Sequence, residues 1–268
     1  AVAAMRAGAQ DYLMKGNLAR LVAAVDRELK EAEERRARRA AERALLAQEE
    51  ELRIAREVQQ RLFPAGPPGL AGYDVAGASR PAAATGGDYF DFIATPAGHL
   101  LVVVGDVTGH GIGPALLMAD ARAYLHALVL ANAELADVLA RARHLLIDDL
   151  GDEHFITLLF ADLDPATGVW TYVNAGHPPG VVLGPAGEVK AEWLPNTAAL
   201  GIDRDEERLV PGRIALEKGD LLLLLTDGIL EAHAKSGEEF GEDRVLELVR
   251  REIDEPAAEI IRALLDAA

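Results

Sequence analysis

Leu101-Val102-Val103-Val104-Gly105-Asp106-Val107-Thr108-Gly109-His110-Gly111-Ile112-Gly113-Pro114-Ala115-Leu116-Leu117-Met118 is the stretch on which the fold turns. An apolar run of strand length ends in Gly105-Asp106. A glycine-rich loop follows, then an apolar segment of helical composition. Val-rich runs bounded by glycine read as buried strands. Asp106 therefore stands where a buried strand opens into a loop. A carboxylate there is costly unless a charge or hydrogen bonds satisfy it.

Two further segments repeat this arrangement. Leu221-Leu222-Leu223-Leu224-Leu225-Thr226-Asp227-Gly228 is a second buried run that ends in Asp-Gly. Thr85-Gly86-Gly87-Asp88-Tyr89-Phe90-Asp91-Phe92 sets Asp88 behind a double glycine at the start of an alternating strand. A single Asp-Gly pair is ordinary turn chemistry. Three carboxylates at strand ends, each flanked by glycine, point instead to a hard cation such as Mg²⁺ or Mn²⁺, which favours carboxylate, carbonyl and water oxygens.

Four motifs now stand in order: Gly86-Gly87-Asp88, Gly105-Asp106-Val107-Thr108-Gly109-His110-Gly111, Asn174-Ala175-Gly176-His177-Pro178-Pro179 and Thr226-Asp227-Gly228. Together they resemble the metal-dependent serine/threonine protein phosphatases of the PPM family, in particular the bacterial branch that regulates sigma factors. The resemblance covers about residues 53 to 266. It implies an α+β fold: a layered sandwich of two antiparallel sheets flanked by helices. It also implies two Mn²⁺ or Mg²⁺ ions. Asp106 would bridge them, the Val107 backbone carbonyl would add a ligand, Asp88 would serve one ion and Asp227 the other.

Hydrolysis of a phosphomonoester needs charge neutralisation and an in-line nucleophile, and a pair of divalent ions supplies both. The family normally has one more aspartate, in an Asp-Asp or Asp-Asn pair ahead of a last strand near the C-terminus. Nothing here matches it. Asp266 lies in a segment that reads as helix, so one metal position is expected to be incomplete and the last strand to be missing.

The chain has 268 residues, half of them hydrophobic, enough for one sizeable core and a smaller segment. The net charge of −17 disfavours nonspecific binding to nucleic acid or to an anionic membrane. No cysteine is present, which excludes disulfides and thiolate sites and fits a cytoplasmic setting. No apolar run reaches membrane-spanning length, and the first residues lack the order of a signal peptide.

Residues 1–30 read as helix, short strand and helix. Gly8 ends the first helix, Tyr12-Leu13-Met14 form the strand, and Leu18, Leu21, Val22, Val25 and Leu29 recur at helical spacing. This resembles the last part of a response-regulator receiver domain, with Lys15 matching the lysine that contacts the aspartyl phosphate. Gly16 stands where receivers usually carry proline. A partial receiver cannot bury its sheet, so the chain is expected to be a piece of a longer protein.

Residues 31–64 form a linker. Up to residue 62 it is rich in Ala, Glu and Arg, with no Gly or Pro, and favours a long helix. Ala41, Leu45, Gln48, Leu52, Ala55, Gln59 and Leu62 follow a 4-3 spacing, a coiled-coil seam weakened by two glutamines. A homodimer through this helix is the expected assembly. Pro64, Pro67 and Pro68 close it.

Residues 65–268 form the phosphatase-like domain. Strands are expected near 73–79, 87–94, 99–106, 154–162, 169–175, 180–183, 189–193, 209–216 and 220–226. Helices are expected near 112–131, 134–150, 241–252 and 256–266. Mixed strands with helix pairs make a layered α+β domain.

Other polar residues carry weaker expectations. His110 reads as a loop-structuring residue or a general acid. His177 is expected to shape a turn at the cleft rim. Asp91 braces the site or is solvated, and Arg80 meets a phosphate or lies at the surface. Asp203, Asp205, Glu206 and Glu207 read as an exposed acidic loop. Three functions compete. One is a phosphatase for phosphoserine or phosphothreonine on a signalling protein, in this branch a phosphorylated anti-sigma-factor antagonist, working as the output of a response regulator. Another is a phosphatase-like adaptor that binds a regulatory partner. The third is a nucleotide-binding protein, disfavoured because no Gly-Lys-Ser/Thr follows the glycines.

Overall fold

The structure is a computed structural model, and it describes Arg6 and residues 21–81, 85–131, 134–202, 209–233 and 237–268. The receiver-like strand, Lys15 and the acidic residues of 203–208 lie outside the described residues. The chain divides into two compact units, Ala1–Ile54 and Ala55–Ala268. Among the described residues no helix is long and apolar enough to cross a membrane.

The first long helix, α1, spans Leu21–Gln60. Its composition explains it: Ala, Glu and Arg lose little freedom in a helix, and ion pairs one turn apart, such as Arg35–Glu31 and Arg38–Glu42, line its surface. Within the first unit Leu21, Val22, Val25, Leu29, Leu45, Leu46 and Ile54 are exposed. The last turn of α1 belongs to the second unit. There Gln59 is buried and Leu62 packs on the core, while Val58 is exposed. Of the expected seam positions, Gln59 is thus taken up by its own domain and Leu62 is half-buried against the core of that domain.

The second unit holds β1 (Tyr89–Ala94), β2 (Leu100–Val107), α2 (Ile112–Leu130), α3 (Leu135–Leu150), β3 (Ile156–Asp164), β4 (Val169–Ala175), β5 (Gly180–Leu183), β6 (Val189–Trp193), β7 (Gly212–Ala215), β8 (Leu221–Leu223), α4 (Asp227–Leu230), α5 (Gly241–Arg251) and α6 (Ala257–Ala267). Five strands form one sheet in the order β1-β2-β3-β4-β7, and three form the other in the order β6-β5-β8. All pairs are antiparallel.

Strand periodicity sorts the side chains into three cores. Leu101, Val103 and Val107 of β2 and Leu158 and Phe160 of β3 face Met118, Leu125, Leu139 and Leu146 of α2 and α3. Their alternates Leu100, Val102, Leu159, Ala161 and Leu163 meet Val182 and Trp193 between the two sheets. Val181, Leu183 and Leu223 pack on Val245, Leu248, Val249, Ile260 and Leu264 of α5 and α6. The result is the expected α+β sandwich of two antiparallel sheets with helices outside. The central strands are covered on both faces, so β2 and β3 are apolar almost throughout although their pairing is antiparallel.

Two strand expectations need correction. Residues 73–79 join no ladder; Tyr73 and Val75 pack on the inter-sheet core by their side chains alone. The strand expected at 220–226 is only β8, after which the chain turns into α4.

Candidate active site

Register builds the site. Tyr89 of β1 pairs with Gly105 of β2, and Asp106 pairs with Thr157 of β3. One step beyond the first pair, Asp88 comes beside Asp106. By parity both belong to the face between the sheets, with Phe92, Leu100 and Val102. Asp227 arrives from the other sheet, at the start of α4 directly behind β8. Three carboxylates far apart in sequence are thus gathered at one end of the sandwich.

Gly87 makes the close approach possible. A Cβ built there would lie 2.2 Å from the Val107 carbonyl oxygen and 2.8 Å from Asp106 Oδ1. No other residue fits. The Val107 amide donates to the Gly87 carbonyl at 3.4 Å, tying the two loops together. Gly228 lies beside Asp88 without such crowding: a Cβ at 228 would meet Asp88 Oδ2 at an ordinary 3.7 Å.

Electrostatics reflect the crowding. Burial, then the charges of Asp88 and Asp227, push the Asp106 carboxyl up to about 7. Burial also raises Asp88; the Thr226 hydroxyl hydrogen bond pulls the other way, and the Asp227 charge adds to the rise. Asp227 itself is exposed. Among the described residues no group of three or more His, Asp or Glu side chains is arranged to hold a metal ion as it stands. The donors nevertheless suit a hard divalent cation. Acidic oxygens meet around a cradle that a Cβ would fill, and their mutual repulsion is what a cation relieves.

Gln59 stands behind this site. Its side chain, 4% exposed, grips Gly86 at both backbone groups: Nε2 donates to the Gly86 carbonyl at 2.6 Å, and the Gly86 amide donates to Oε1 at 3.3 Å. The sequence reading missed this role and placed Gln59 in the coiled-coil seam. A glutamine inside an otherwise charged helix end, just before Leu62-Phe63-Pro64, was the available signal.

Asp91 lies on the opposite face of β1 from Asp88 and is 3% exposed. Oδ2 accepts from the Tyr89 hydroxyl at 2.9 Å and lies 2.6 Å from His126 Nε2 and 3.2 Å from Arg122 Nε. Its Oδ1 accepts from the Phe92 amide at 2.8 Å. Asp91 is therefore not solvated: it anchors α2 to the strand that follows Asp88.

Other expectations change. His110 is exposed in the loop. His177 is 1% exposed, so it belongs to the interior and not to the cleft rim. Arg80 meets the last helix: Nη1 donates to the Leu265 carbonyl at 2.5 Å and Nη2 to Asp266 Oδ1 at 3.2 Å. Asp266 is thereby engaged in a surface ion pair.

With this geometry in place, the comparisons identify the family. The family model of stage II sporulation protein E (SpoIIE) matches residues 96–268, well over half of the chain. The chain belongs to this family. The phosphoserine phosphatase RsbU of Bacillus subtilis is 27% identical over 218 residues, which cover 81% of this chain and 64% of that protein. Protein IcfG of Synechocystis is 26% identical over 224 residues, 74% of this chain and 35% of that protein. The chain thus spans between about a third and two thirds of these relatives. Among solved structures, the SiaA-PP2C domain of Pseudomonas aeruginosa superposes with a TM-score of 0.69 at 20% identity, covering 83% of this chain and 89% of that one. The RsbU and RsbW domains of a Mycobacterium tuberculosis protein give 0.59 at 25% identity, covering 71% and 53%. The fold is that of PP2C-type phosphatases.

Proposed function

We propose that this SpoIIE-family domain hydrolyses phosphoserine or phosphothreonine on a signalling protein. The observation that carries the proposal is the meeting of Asp88, Asp106 and Asp227 from two sheets around Gly87, with Asp106 pushed up to about 7 by burial and by the other two charges. In this reading Asp106, Asp88, Asp227 and the Val107 carbonyl would be the protein groups that hold two Mn²⁺ or Mg²⁺ ions, with Asp106 shared between them. The ions, when bound, neutralise phosphoryl charge and activate water. Gly87 keeps the carboxylates close, the Thr226 hydroxyl favours the ionised form of Asp88, and β2 fixes Asp106 at a covered strand end.

The relation to RsbU, a phosphoserine phosphatase, supports the reaction class. A phosphorylated anti-sigma-factor antagonist is the substrate we infer. The receiver-like pattern of residues 1–30 supports an output role in a response regulator, and the exposed Leu45 of α1 supports pairing with a second copy. The division we propose is a receiver-like segment at 1–30, a helical linker at 31–64 and the phosphatase domain at 65–268.

A second reading, a phosphatase-like adaptor that binds a regulatory partner, is favoured by one observation: the described carboxylates are not arranged as a closed metal cluster. Hydrolysis of a phosphoserine peptide with and without added Mn²⁺ separates the two. Mn²⁺-dependent turnover is expected; peptide or partner binding without turnover at any Mn²⁺ concentration makes the domain an adaptor.

A further inference from the structure

His177 sits where the chain leaves one sheet for the other. β4 ends at Ala175 in the five-stranded sheet, and β5 begins at Gly180 in the three-stranded one. Gly176 makes the turn with φ of 67°, and a Cβ there would come within 3.1 Å of Ala199. The turn is built rigidly. The His177 amide donates to Asn174 Oδ1 at 2.8 Å, Asn174 Nδ2 donates to the Trp193 carbonyl at 2.9 Å, and the Asn174 amide donates to Asn196 Oδ1 at 2.9 Å.

The imidazole reaches the arm that carries Asp106. On one side Nδ1 lies 2.9 Å from Thr157 Oγ1. Thr157 is the cross-strand partner of Asp106, and its hydroxyl is 3.5 Å from the Asp106 carbonyl oxygen. On the other side Nε2 is buried with no hydrogen-bond partner. Burial holds the imidazole neutral, down to about 4, and the Leu225 backbone offsets this only in part. A buried neutral ring at a sheet crossover is a spacer of fixed length and chemistry.

We propose that His177 is a positioning residue: through Thr157, from the crossover between the two sheets, it holds the strand end that carries Asp106. The inference rests on the metal-phosphatase reading above. It explains why a histidine rather than an apolar residue occupies the crossover. An aliphatic side chain would fill the volume but would leave the Thr157 hydroxyl free to turn away from the strand end that carries Asp106.

The test is Mn²⁺ binding to the full chain, followed by calorimetry and by the Mn²⁺ paramagnetic resonance signal, with hydrolysis of a phosphoserine peptide alongside. His177→Phe keeps the ring and removes both nitrogens; Thr157→Val keeps the shape and removes the hydroxyl. Each is expected to weaken Mn²⁺ binding by about tenfold or more, the effect typical of groups that orient metal ligands. Excess Mn²⁺ should restore most of the turnover. Thr157→Ser should bind as the wild type does. The double variant should be little weaker than either single one, because both cut the same connection.

A role in packing alone would lower the unfolding midpoint and leave the Mn²⁺ constant unmoved; that result in a folded His177→Phe protein overturns the inference. If His177→Phe does not fold, Thr157→Val decides by the same criterion. A wild-type chain that neither binds Mn²⁺ nor hydrolyses the peptide overturns the phosphatase reading itself. A wild type that does both, with variants that match it, overturns only the role of His177.

Discussion

Gln59 closes both hydrogen-bonding groups of Gly86 with one side-chain amide, at 2.6 Å and 3.3 Å. Gly86 is two residues from Asp88, and the neighbouring Gly87 carbonyl accepts from the Val107 amide. A helix end thus fixes the backbone of one carboxylate loop, which is tied to the next. Gln59→Ala leaves both Gly86 groups without that partner. It should destabilise the domain by about 1–3 kcal/mol in urea unfolding and raise the Mn²⁺ concentration needed for half-maximal turnover. A variant with wild-type stability and Mn²⁺ dependence would mean that the clasp is incidental.

Asp106→Asn removes the central charge at constant size. Turnover of a phosphoserine peptide should be lost at every Mn²⁺ concentration, while the circular dichroism spectrum and the unfolding transition survive. Undiminished turnover in a folded Asp106→Asn protein would sink the bridging assignment.

pH should act differently with and without metal. The folded state raises Asp106 from 3.8 to about 7, so the metal-free domain binds this proton more tightly folded than unfolded and loses stability as pH rises between those values. His177 falls from 6.5 to about 4, so it costs stability as pH falls through that window. Mn²⁺ cancels the first effect by favouring the carboxylate. Thermal unfolding across pH 4 to 7 should therefore show a weak net dependence without metal and a clear loss on acidification at saturating Mn²⁺. Mn²⁺ affinity should rise with pH up to about 7 and then level off. An affinity flat from pH 5 to 8 would contradict a shared, proton-competing Asp106.

Asp91 ties β1 to α2 through His126 and Arg122. Asp91→Ala leaves Arg122 and His126, which are 28% and 32% exposed, and the Tyr89 hydroxyl without their shared acceptor, and should cost about 1–3 kcal/mol in urea unfolding. A loss below about 1 kcal/mol would mark the cluster as dispensable.

Pairing of two copies through α1 should depend on the apolar residues that remain exposed or half-buried in its first unit. Leu45→Glu with Leu52→Glu should turn a dimer into a monomer in sedimentation and alter basal turnover. A monomer in the unaltered chain would exclude such pairing.

Much of this molecule was legible in its sequence. The continuous apolar runs of β2 and β3 and the apolar composition of α2 and α3 report local backbone preference and burial, which neighbouring residues encode directly. The three strand-end aspartates were visible for the same reason: a charge beside a buried run is a local contradiction. Parity and register were not local. Only the Tyr89–Gly105 pairing puts Asp88 beside Asp106 and sends Asp91 to the opposite face. The partners of Asp91 stand 31 and 35 residues away on a helix whose rotation is set by packing against the sheet. Arg80 and Asp266 are 186 residues apart, and nothing in either segment specifies the other. Gln59 and His177 look the same in sequence whether they face solvent, a partner or the interior. Their burial is decided by tertiary packing, because a polar side chain enters a core only where distant segments supply its hydrogen bonds.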